Sequence, residues 1–433
     1  MRPDSLPALA LHGGAPIRQR GWQDNFTTGE EEKAALLRVM EGGYLSKFEG
    51  SHTPDPPFSF TGGPWVQAFE AAMCEYYAVK HAVSMNSATS GLYAAVGALG
   101  LGFGDEVIVS PYTMSACAAA PLLYGAIPVF ADVAVDSGCL DPASVAARIT
   151  PRTRAILVVH QFGIPADMDA IMSLARQHRL RIVEDCAQAH GARYHGRPVG
   201  TIGDIGVFSF NVNKTIQAGE GGVCVTDDAD LAYRLQLIRN HGEAVVGPAG
   251  VKDTTNIIGY NYRMTELHAA VSLEQLKKLD GLNERRLRLV HHLQRALSEV
   301  PGVTPLTSRE GSDATWYVFP ARFDAAVIGC QREEFVRYLR AEGIVMFQGY
   351  VRPLYLQPLY QQRHAFKHGY PWSAPENRDS TPDYSPGCCP VAERLYQSEM
   401  LINEHVRPPH EDADMDDIAA AVQKVVAAVR EAR

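Results

Sequence analysis

The sequence predicts an α/β fold with a mostly parallel central sheet and a smaller C-terminal α+β unit. Between about residues 80 and 230, short apolar runs alternate with segments of helical periodicity. Nearly continuous apolar strands bounded by helices are typical of a parallel sheet covered on both faces. The chain of 433 residues is long enough for about two or three domains, which leaves room for a second unit after the sheet.

The predicted elements follow one another along the chain. Strands are expected at 81–85, 107–109, 129–130, 155–159, 181–183, 207–210 and 222–225. Helices are expected at 89–99, 115–124, 167–178, 265–279 and 285–299. The C-terminal unit is expected to contain 316–323, 333–342, 344–347 and a closing helix at about 415–430. Because ligands of such sheets bind at the carboxyl ends of the strands, we expect the functional residues directly after them.

The composition excludes several classes of partner. The chain carries 40 Lys+Arg against 49 Asp+Glu, so it lacks the basic surface that nucleic acid or an anionic membrane attracts. Residues 107–131 carry no charge, but three prolines favour strand, helix and strand over a membrane span. The eight cysteines form no CxxC pattern, and no apolar signal segment begins the chain. We therefore expect a cytoplasmic protein with neither a nucleic-acid nor a membrane partner.

Three polar clusters follow strands of the predicted sheet. One strand leads to Asp185, another leads to Lys214, and the strand at 81–85 runs into a helix start at 86–91. The small and hydroxyl residues of that helix start leave backbone N–H groups free to bind an anion. Taken singly, the carboxylate is a helix cap, the lysine a solvated charge and the helix start an ordinary one. Their meeting at one edge of one sheet is the informative observation.

Pyridoxal phosphate (PLP) needs these three groups together. It takes a seat for its phosphate, a carboxylate for its pyridine nitrogen and a lysine for a Schiff base. A proton held on the ring nitrogen by Asp185 makes the ring an electron sink, and a shift of two pKa units there is worth about 2.7 kcal/mol. Lys214 can then shuttle a proton at the substrate carbon if burial keeps its amine partly neutral. The sequence therefore predicts PLP as the cofactor.

Six motifs occur in a fixed order along the chain. They are GDEVIV at 104–109, ADMD at 166–169, EDCAQAHGA at 184–192, FSF at 208–210 with Lys214 four residues on, GEGG at 219–222 and GYNYRM at 259–264. Through these motifs the chain resembles the DegT/StrS family of PLP-dependent sugar and cyclitol aminotransferases, from about residue 25 to the C-terminus. The resemblance implies the aspartate-aminotransferase-like fold, known as fold type I. We expect an N-terminal segment (1–62) whose helix packs on the small domain, a large PLP-binding domain (63–305) and a small C-terminal domain (306–433).

The resemblance implies a set of cofactor contacts. Lys214 corresponds to the Schiff-base lysine and Asp185 to the partner of the pyridine nitrogen. Gln188 is expected near the ring hydroxyl of the cofactor. The phosphate is expected to contact Ser209, Ala88 and Thr89.

For several of the expected cofactor contacts, the sequence leaves more than one role open. Asn261 matches a position that reaches the phosphate of the neighbouring subunit, which implies a homodimer with shared active sites. Met114 stands where the family usually has an aromatic residue stacked on the cofactor ring, so either its thioether or the Tyr112 ring is expected to cover that ring. A capping role for Gln188, a buried-strand role for Ser209 and a turn role for Asn261 are the structural alternatives.

The substrate contacts are expected at Tyr112, His190, Tyr355 and His405. A purely structural role is the alternative for His190. Tyr355 departs from the family pattern, because many members read Pro-x-Leu-His where this chain has Pro353-Leu354-Tyr355. The segments 11–14, 389–390 and 403–405 resemble the branch of the family that acts on inosose-type cyclitols. The loops 45–62 and 361–387 are expected to set specificity.

The resemblance implies an aminotransferase. It is expected to move an amino group from L-glutamate or L-glutamine to a keto group of a cyclitol or a nucleotide-activated sugar, in natural-product or glycan biosynthesis. Lys214 argues against sugar dehydration, in which histidine replaces this lysine; that chemistry and a non-catalytic relative are the alternatives. His364 and His368 have the spacing of two zinc ligands, but no third ligand accompanies them, so we expect no metal.

Overall fold

A seven-stranded sheet lies at the centre of the computed structural model, which describes residues 9–51 and 56–432. The first nine strands are β1 (His81–Met85), β2 (Glu106–Val109), β3 (Ile127–Phe130), β4 (Thr153–Val159), β5 (Arg181–Asp185), β6 (Arg193–Tyr194), β7 (Arg197–Pro198), β8 (Ile205–Ser209) and β9 (Gly222–Thr226). Seven of them pair in the order β1-β9-β8-β5-β4-β2-β3. Only β9 in this sheet is antiparallel to its neighbours, so the predicted mostly parallel sheet is confirmed.

Helices cover both faces of the sheet. They are α1 (Glu30–Glu41), α2 (Pro64–Tyr77), α3 (Ala88–Ala98), α4 (Ala116–Leu123), α5 (Pro142–Arg148), α6 (Met168–His178), α7 (Ala229–Arg239) and α8 (Glu266–Leu297). Side chains of α3, α4 and α7 share one hydrophobic core with the sheet, and those of α2, α6 and the first half of α8 share the other. The apolar runs are continuous because the strands must be buried on both sides.

A smaller α+β unit follows, as the sequence predicts. Its strands are β10 (Val303–Pro305), β11 (Ser312–Asp313), β12 (Phe319–Phe323), β13 (Phe347–Gln348) and β14 (Met400–Asn403). Its helices are α9 (Ala325–Ile328), α10 (Arg332–Ala341), α11 (Pro358–Gln361), α12 (Pro390–Arg394) and α13 (Asp412–Glu431). An antiparallel sheet has the order β10-β12-β14-β13, while β11 pairs with β6 of the large unit.

The helix α8 joins the two units as one continuous helix of 32 residues. The sequence predicted two helices here, at 265–279 and 285–299. The interval contains Gly281, and a glycine in a helix interior costs about 1 kcal/mol. Packing of α1 and α2 on α8, together with α13 on the same helix, outweighs this local preference.

The N-terminal segment differs from its expected arrangement. Helix α1 packs on α8 through Ala35, Val39 and Ala270, and not on the small unit. The residues before α1 make that contact instead, since the guanidinium of Arg18 lies 2.8 Å from the carboxylate of Asp414. The apolar face of α1 therefore finds its partner on the large unit. The remaining residues of the expected segment, 1–8 and 52–55, lie outside the described residues.

The segment 361–387 runs over the far side of the large unit, away from the carboxyl ends of the strands. Asn377 is fully buried there, and its side chain accepts the N–H of Gly104 at 2.6 Å and donates to the carbonyl of Gly125 at 2.9 Å. The hydroxyl of Tyr384 donates to the carbonyl of Pro128 at 2.7 Å.

Among the described residues, no helix combines the length and apolar character that a membrane span requires.

Candidate active site

The carboxyl-terminal edge of the central sheet encloses a cavity of about 390 Å³. Because β1, β5 and β8 run in the same direction, the residues that follow them reach this edge together. Helix α3 begins there, Asp185 ends β5, and Lys214 lies in the turn after β8. All three line the cavity, so the fold brings together the clusters that the sequence separates.

The first turn of α3 forms one wall of the cavity. Ser87 caps the helix, and its Oγ accepts the N–H of Ser90 at 3.0 Å. Ala88 and Thr89 line the cavity at positions whose N–H groups have no partner within a helix. A Cβ at Gly222 would lie 2.4 Å from the Ser87 carbonyl carbon, so only glycine allows β9 to approach this turn. The helix N-terminus thereby faces the cavity as an anion seat.

Asp185 is buried at the opposite wall, with 6% of its surface exposed. Its Oδ1 accepts the N–H of Ala187 at 2.9 Å, and its Oδ2 accepts the thiol of Cys117 at 3.0 Å. Burial, together with the charge of Asp185, holds the pKa of the Cys117 thiol well above its ordinary value. The carboxylate is thus held by two donors while it lines the cavity.

Lys214 lies in a tight turn, where its N–H donates to the carbonyl of Asn211 at 2.9 Å. Its Nζ is 4.6 Å from the centre of the Tyr317 ring. Burial lowers the pKa of Lys214, and the nearby Asp185 carboxylate opposes part of this shift. An amine in this environment loses its proton more readily than one at the surface, which is what reaction with a carbonyl group requires.

Gln188 connects the large unit to the small unit across the cavity wall. Its Oε1 accepts the N–H of Phe162 at 2.7 Å, and its Nε2 donates to the hydroxyl of Tyr350 at 2.8 Å. Tyr350 comes from the small unit and lines the cavity. Burial raises the pKa of Tyr350, so the phenol keeps its proton. Both ends of the Gln188 amide are engaged, which fixes its orientation.

Ser209 lines the cavity, and His190 lies behind it. The burial of His190 contradicts the substrate contact expected of this residue. The Oγ of Ser209 accepts the N–H of Asn211 at 3.3 Å. His190 is buried behind this strand end, where its Nε2–H donates to the Ser209 carbonyl at 2.8 Å. Its ring packs on Phe208 and Phe210, and burial lowers its pKa to about 4. His190 is therefore a neutral residue that supports the strand end.

The structure distinguishes the two side chains expected to cover the cofactor ring. Met114 lines the cavity and is 54% exposed, so its thioether is available to a flat ligand. Tyr112 is fully buried, with its ring centre 5.8 Å from that of Tyr350 and 6.4 Å from that of Phe162. Tyr112 therefore lies in the layer of buried side chains behind the cavity. Its burial also contradicts the substrate contact expected of Tyr112.

Tyr355 and His405 do not line the cavity. The burial of Tyr355 contradicts its expected contact with substrate, whereas the contact expected of His405 stays a prediction. Tyr355 is fully buried, with its hydroxyl donating to Glu393 and its ring centre 5.6 Å from that of Phe130. His405 stacks on Trp22 with ring centres 4.3 Å apart. Burial lowers the pKa of His405 to about 4. Both rings stabilise the packing of the small unit.

Asn261 is exposed and lies outside the cavity of its own chain. It pairs with Asn240 through an isolated β-bridge, and its carbonyl accepts the side-chain amide of Asn86 at 3.3 Å. This position leaves its side chain free to face another subunit. The expected contact with the partner's phosphate stays a prediction.

A cluster of potential metal ligands, His160, Glu184 and Cys186, lies buried behind Asp185. Glu184 accepts the Nε2–H of His160 at 3.0 Å and three backbone N–H groups at 2.6–2.8 Å. The Nδ1 of His160 accepts the N–H of Ala166 at 3.1 Å. Burial acts to raise the pKa of Glu184, but these hydrogen bonds hold it below its ordinary value. With its lone pairs engaged, the cluster is a structural hydrogen-bond network.

Three residues of the site carry no signal in the sequence. Tyr317 and Tyr350 follow irregular stretches of the small unit, so no strand end or helix start points to them. Cys117 occurs in a run of small residues that predicts only a buried helix. Within the described parts of 45–62 and 361–387, no residue lines the cavity of this chain, and the expectation that these loops set specificity stays a prediction.

The fold and this site together define a fold type I aminotransferase. The family model described as the DegT/DnrJ/EryC1/StrS aminotransferase family matches residues 58–423. The chain belongs to this family. The family resemblance inferred from the motifs is therefore confirmed.

Individual relatives resemble this chain over most of their length, in sequence and in structure. The chain is 36% identical to the L-glutamine:scyllo-inosose aminotransferase of Streptomyces griseus, over 98% of this chain and 99% of the relative. It is 39% identical to the dTDP-3-amino-3,4,6-trideoxy-alpha-D-glucose transaminase of Streptomyces venezuelae, over 76% of this chain and 80% of the relative. The crystal structure of DesI with its TDP-sugar product superimposes with a TM-score of 0.78 at 30% identity, covering 98% of this chain and 97% of that one.

Proposed function

We propose that this protein is a PLP-dependent aminotransferase that moves an amino group from L-glutamine or L-glutamate to the keto group of a cyclitol. The observation that carries the proposal is the convergence of Lys214, Asp185 and the first turn of α3 on one cavity. Membership of an aminotransferase family supports the reaction class. Each half of the reaction uses the same cavity, because the amino donor leaves before the ketone enters.

The residues present fit PLP. The N-terminus of α3 offers the phosphate free N–H groups and a favourable helix dipole. The carboxylate of Asp185 suits a protonated ring nitrogen, and the exposed thioether of Met114 suits the ring face. Lys214 supplies an amine whose pKa is lowered by burial. When bound, the cofactor supplies the electron sink that makes the proton on the amine-bearing carbon removable.

The chain's own groups then direct the reaction. Asp185 holds the proton of the ring nitrogen, and Lys214, once free, moves a proton at the substrate carbon. Tyr317, against which the Lys214 amine lies at 4.6 Å, limits where that amine can move. Ser209 and the α3 turn anchor the phosphate, so that the reacting bond keeps a fixed orientation to Lys214.

The acceptor is proposed to be a keto-cyclitol. Relatives that match this chain over nearly the whole of both lengths include the scyllo-inosose and 2-deoxy-scyllo-inosose aminotransferases, which are named for L-glutamine as donor. A nucleotide-activated keto sugar is the second candidate, favoured by the 39% identity to the dTDP-aminosugar transaminase. Among the described side chains of this chain that line the cavity, Lys214 is the one cation, and it lies with the carboxylates Asp185 and Glu220. This charge balance suits a neutral acceptor better than a diphosphate.

We further propose a cytoplasmic homodimer with shared active sites. The exposed position of Asn261, outside its own cavity, supports a contribution to a neighbouring site. None of the eight cysteines, all of which the structure describes, forms a disulfide bond, which suits a reducing compartment.

The role of Lys214 is tested by borohydride reduction of the PLP-loaded protein, followed by mass spectrometry of its peptides. We expect the reduced cofactor on Lys214. Lys214→Ala should bind PLP without a covalent link and lose turnover by roughly a thousandfold or more. The control is Lys277→Ala, a lysine whose side chain is 60% exposed on α8. Cofactor label on another lysine, or retained activity in Lys214→Ala, would refute the assignment.

The acceptor is tested by mass spectrometry of products from a keto-cyclitol and a dTDP-keto sugar, each with L-glutamine and with L-glutamate. Amination of the cyclitol alone is the expected result. Amination of the nucleotide sugar alone would establish the second candidate. Turnover of neither, in a protein that binds PLP, would contradict both acceptor classes.

A further inference from the structure

A thiol contacts the carboxylate proposed to hold the ring nitrogen. Cys117 is the second residue of α4 and is fully buried. Its Sγ lies 3.0 Å from the Oδ2 of Asp185, while the other carboxylate oxygen accepts the N–H of Ala187 at 2.9 Å. No ion pair within 4.0 Å involves Asp185 in the part of the chain that the structure describes. The thiol is thus the one side chain seen to hydrogen-bond this carboxylate.

The geometry makes Cys117 a permanent donor. A buried thiol beside a carboxylate does not ionise readily, because two negative charges would then share an apolar site. The thiol therefore keeps its proton, and the Oδ2 of Asp185 at 3.0 Å is a nearer partner for it than the hydroxyl of Thr113 at 4.0 Å. The same short segment carries Thr113 and Met114, which line the cavity, so one stretch of chain shapes the ring face and the carboxylate together.

We propose that Cys117 is a positioning residue that acts through Asp185, an inference that rests on the proposed function. The thiol holds Oδ2 so that the remaining lone pairs of the carboxylate face the ring nitrogen of PLP. It also stabilises the ionised carboxylate, which leaves the shared proton on the nitrogen. Without the thiol, the carboxylate rotates more freely and keeps more of that proton. The thiol itself neither transfers a proton nor changes oxidation state.

The test compares the PLP-loaded wild type with Cys117→Ala and Cys117→Ser. The 15N chemical shift of 15N-labelled PLP reports whether the ring nitrogen is protonated, and steady-state kinetics with L-glutamine and a keto-cyclitol acceptor give kcat and the KM for L-glutamine. In Cys117→Ala we expect the 15N signal to move toward that of an unprotonated pyridine and kcat to fall about tenfold, with KM within about twofold, since one hydrogen bond to a charged group is lost. Cys117→Ser, which keeps an O–H donor, should restore most of the 15N shift and of kcat.

The matched control is Cys139→Ala. Cys139 is equally buried, but its thiol donates to the backbone carbonyl of Ile164 at 3.3 Å, away from the cavity. This variant should keep the wild-type 15N signal and kcat. If Cys117→Ala does not fold, Cys117→Val replaces it: this variant fills the buried position without a hydrogen-bond donor and should show the same change in the 15N signal and in kcat. A 15N signal and kcat in Cys117→Ala equal to those of wild type would overturn the proposal.

The failure of this proposal is distinct from failure of the proposed function. If wild-type protein does not bind PLP or does not react with an amino donor, the proposed function is wrong. If wild type does both and Cys117→Ala matches it, only the role of Cys117 is wrong.

Discussion

At the scale of single residues, the cavity combines side chains from both units of the chain. Lys214, Asp185 and Gln188 come from the central sheet, whereas Tyr317 and Tyr350 come from the small unit. The aromatic residues contact the functional groups directly: Tyr317 faces the Lys214 amine, and Tyr350 accepts a hydrogen bond from Gln188. A change in the position of the small unit is therefore transmitted to the reacting groups.

His190 supports a prediction on the pH dependence of stability. Its pKa in the folded protein, about 4, lies below the ordinary value of 6.5. As the pH falls from 6.5 toward 4, the unfolded chain binds a proton that the folded chain does not, so stability falls by up to about 1.4 kcal/mol per pH unit. His190→Gln should flatten this slope in urea denaturation measured at several pH values.

The control for that prediction is an exposed histidine. His178 lies at the end of α6 on the surface, so His178→Gln should keep the wild-type slope. If stability depends on pH equally steeply in His190→Gln and in wild type, the conclusion that His190 is buried as a neutral residue is contradicted.

At the scale of elements, the contact between β9 and the first turn of α3 shapes the anion seat. A Cβ at Gly222 would lie 2.4 Å from the carbonyl carbon of Ser87 and 2.5 Å from the nitrogen of Ala88. Since these are backbone atoms, the clash can be relieved only by moving the helix or the strand. Gly222 of the GEGG motif is thus required by the close packing of β9 on the first turn of α3.

Gly222→Ala should weaken both the fold and the binding of PLP. Overpacking against backbone is expected to cost about 3 kcal/mol of stability, and displacement of α3 should raise the Kd for PLP at least about tenfold, equivalent to one charge-assisted hydrogen bond. Urea denaturation and absorbance titration with PLP measure the two effects. Gly281→Ala is the control, because its Cβ would meet open space within α8 and should stabilise the protein by up to about 1 kcal/mol. Equal PLP affinity in Gly222→Ala and wild type would show that this contact does not shape the seat.

At the scale of the whole molecule, the two units are connected at two places that lie far apart on the large unit. Helix α8 extends from the large unit to the small one, where it packs on α13. The segment 361–387 connects the small unit to the far edge of the central sheet through Asn377. These connections hold the small unit, which carries Tyr350, on the large unit, which carries Gln188.

The proposed dimer predicts complementation between two inactive variants. Lys214→Ala lacks the reactive amine, and Asn261→Asp places a carboxylate where the partner's phosphate is expected. In a mixed dimer, one site combines the intact Lys214 of one chain with the intact Asn261 of the other. Mixing the two variants in equal amounts after unfolding and refolding should restore about a quarter of wild-type activity, since half of the dimers contain one intact site of two.

Each variant refolded alone is the control, and it should stay inactive. Restoration is measured as the rate of product formation per subunit. No gain on mixing, in a sample shown by mass spectrometry to contain mixed dimers, would contradict sharing of the site through Asn261.

The parts of the fold and of the site that could be predicted from the sequence are those that a local sequence pattern indicates. Lys214, Asp185 and the α3 turn were predictable because each follows a strand of a recognisable sheet. The continuity of α8 was not, since Gly281 weakens the local signal and only packing by three other helices outweighs it. The packing of Tyr355 on Phe130 and of His405 on Trp22 was not predictable either, because a sequence does not reveal which rings contact each other.

The order of residues along the chain alone determined the α/β class, the family and the three groups that meet at the sheet edge, because strand periodicity and motif spacing are local properties. Only the tertiary structure decided that His190 lies behind Ser209, that Met114 and not Tyr112 lines the cavity, and that Cys117 bonds to Asp185. These are contacts between segments far apart in the chain, and their distances follow from how helices pack on the sheet. No local pattern encodes such distances.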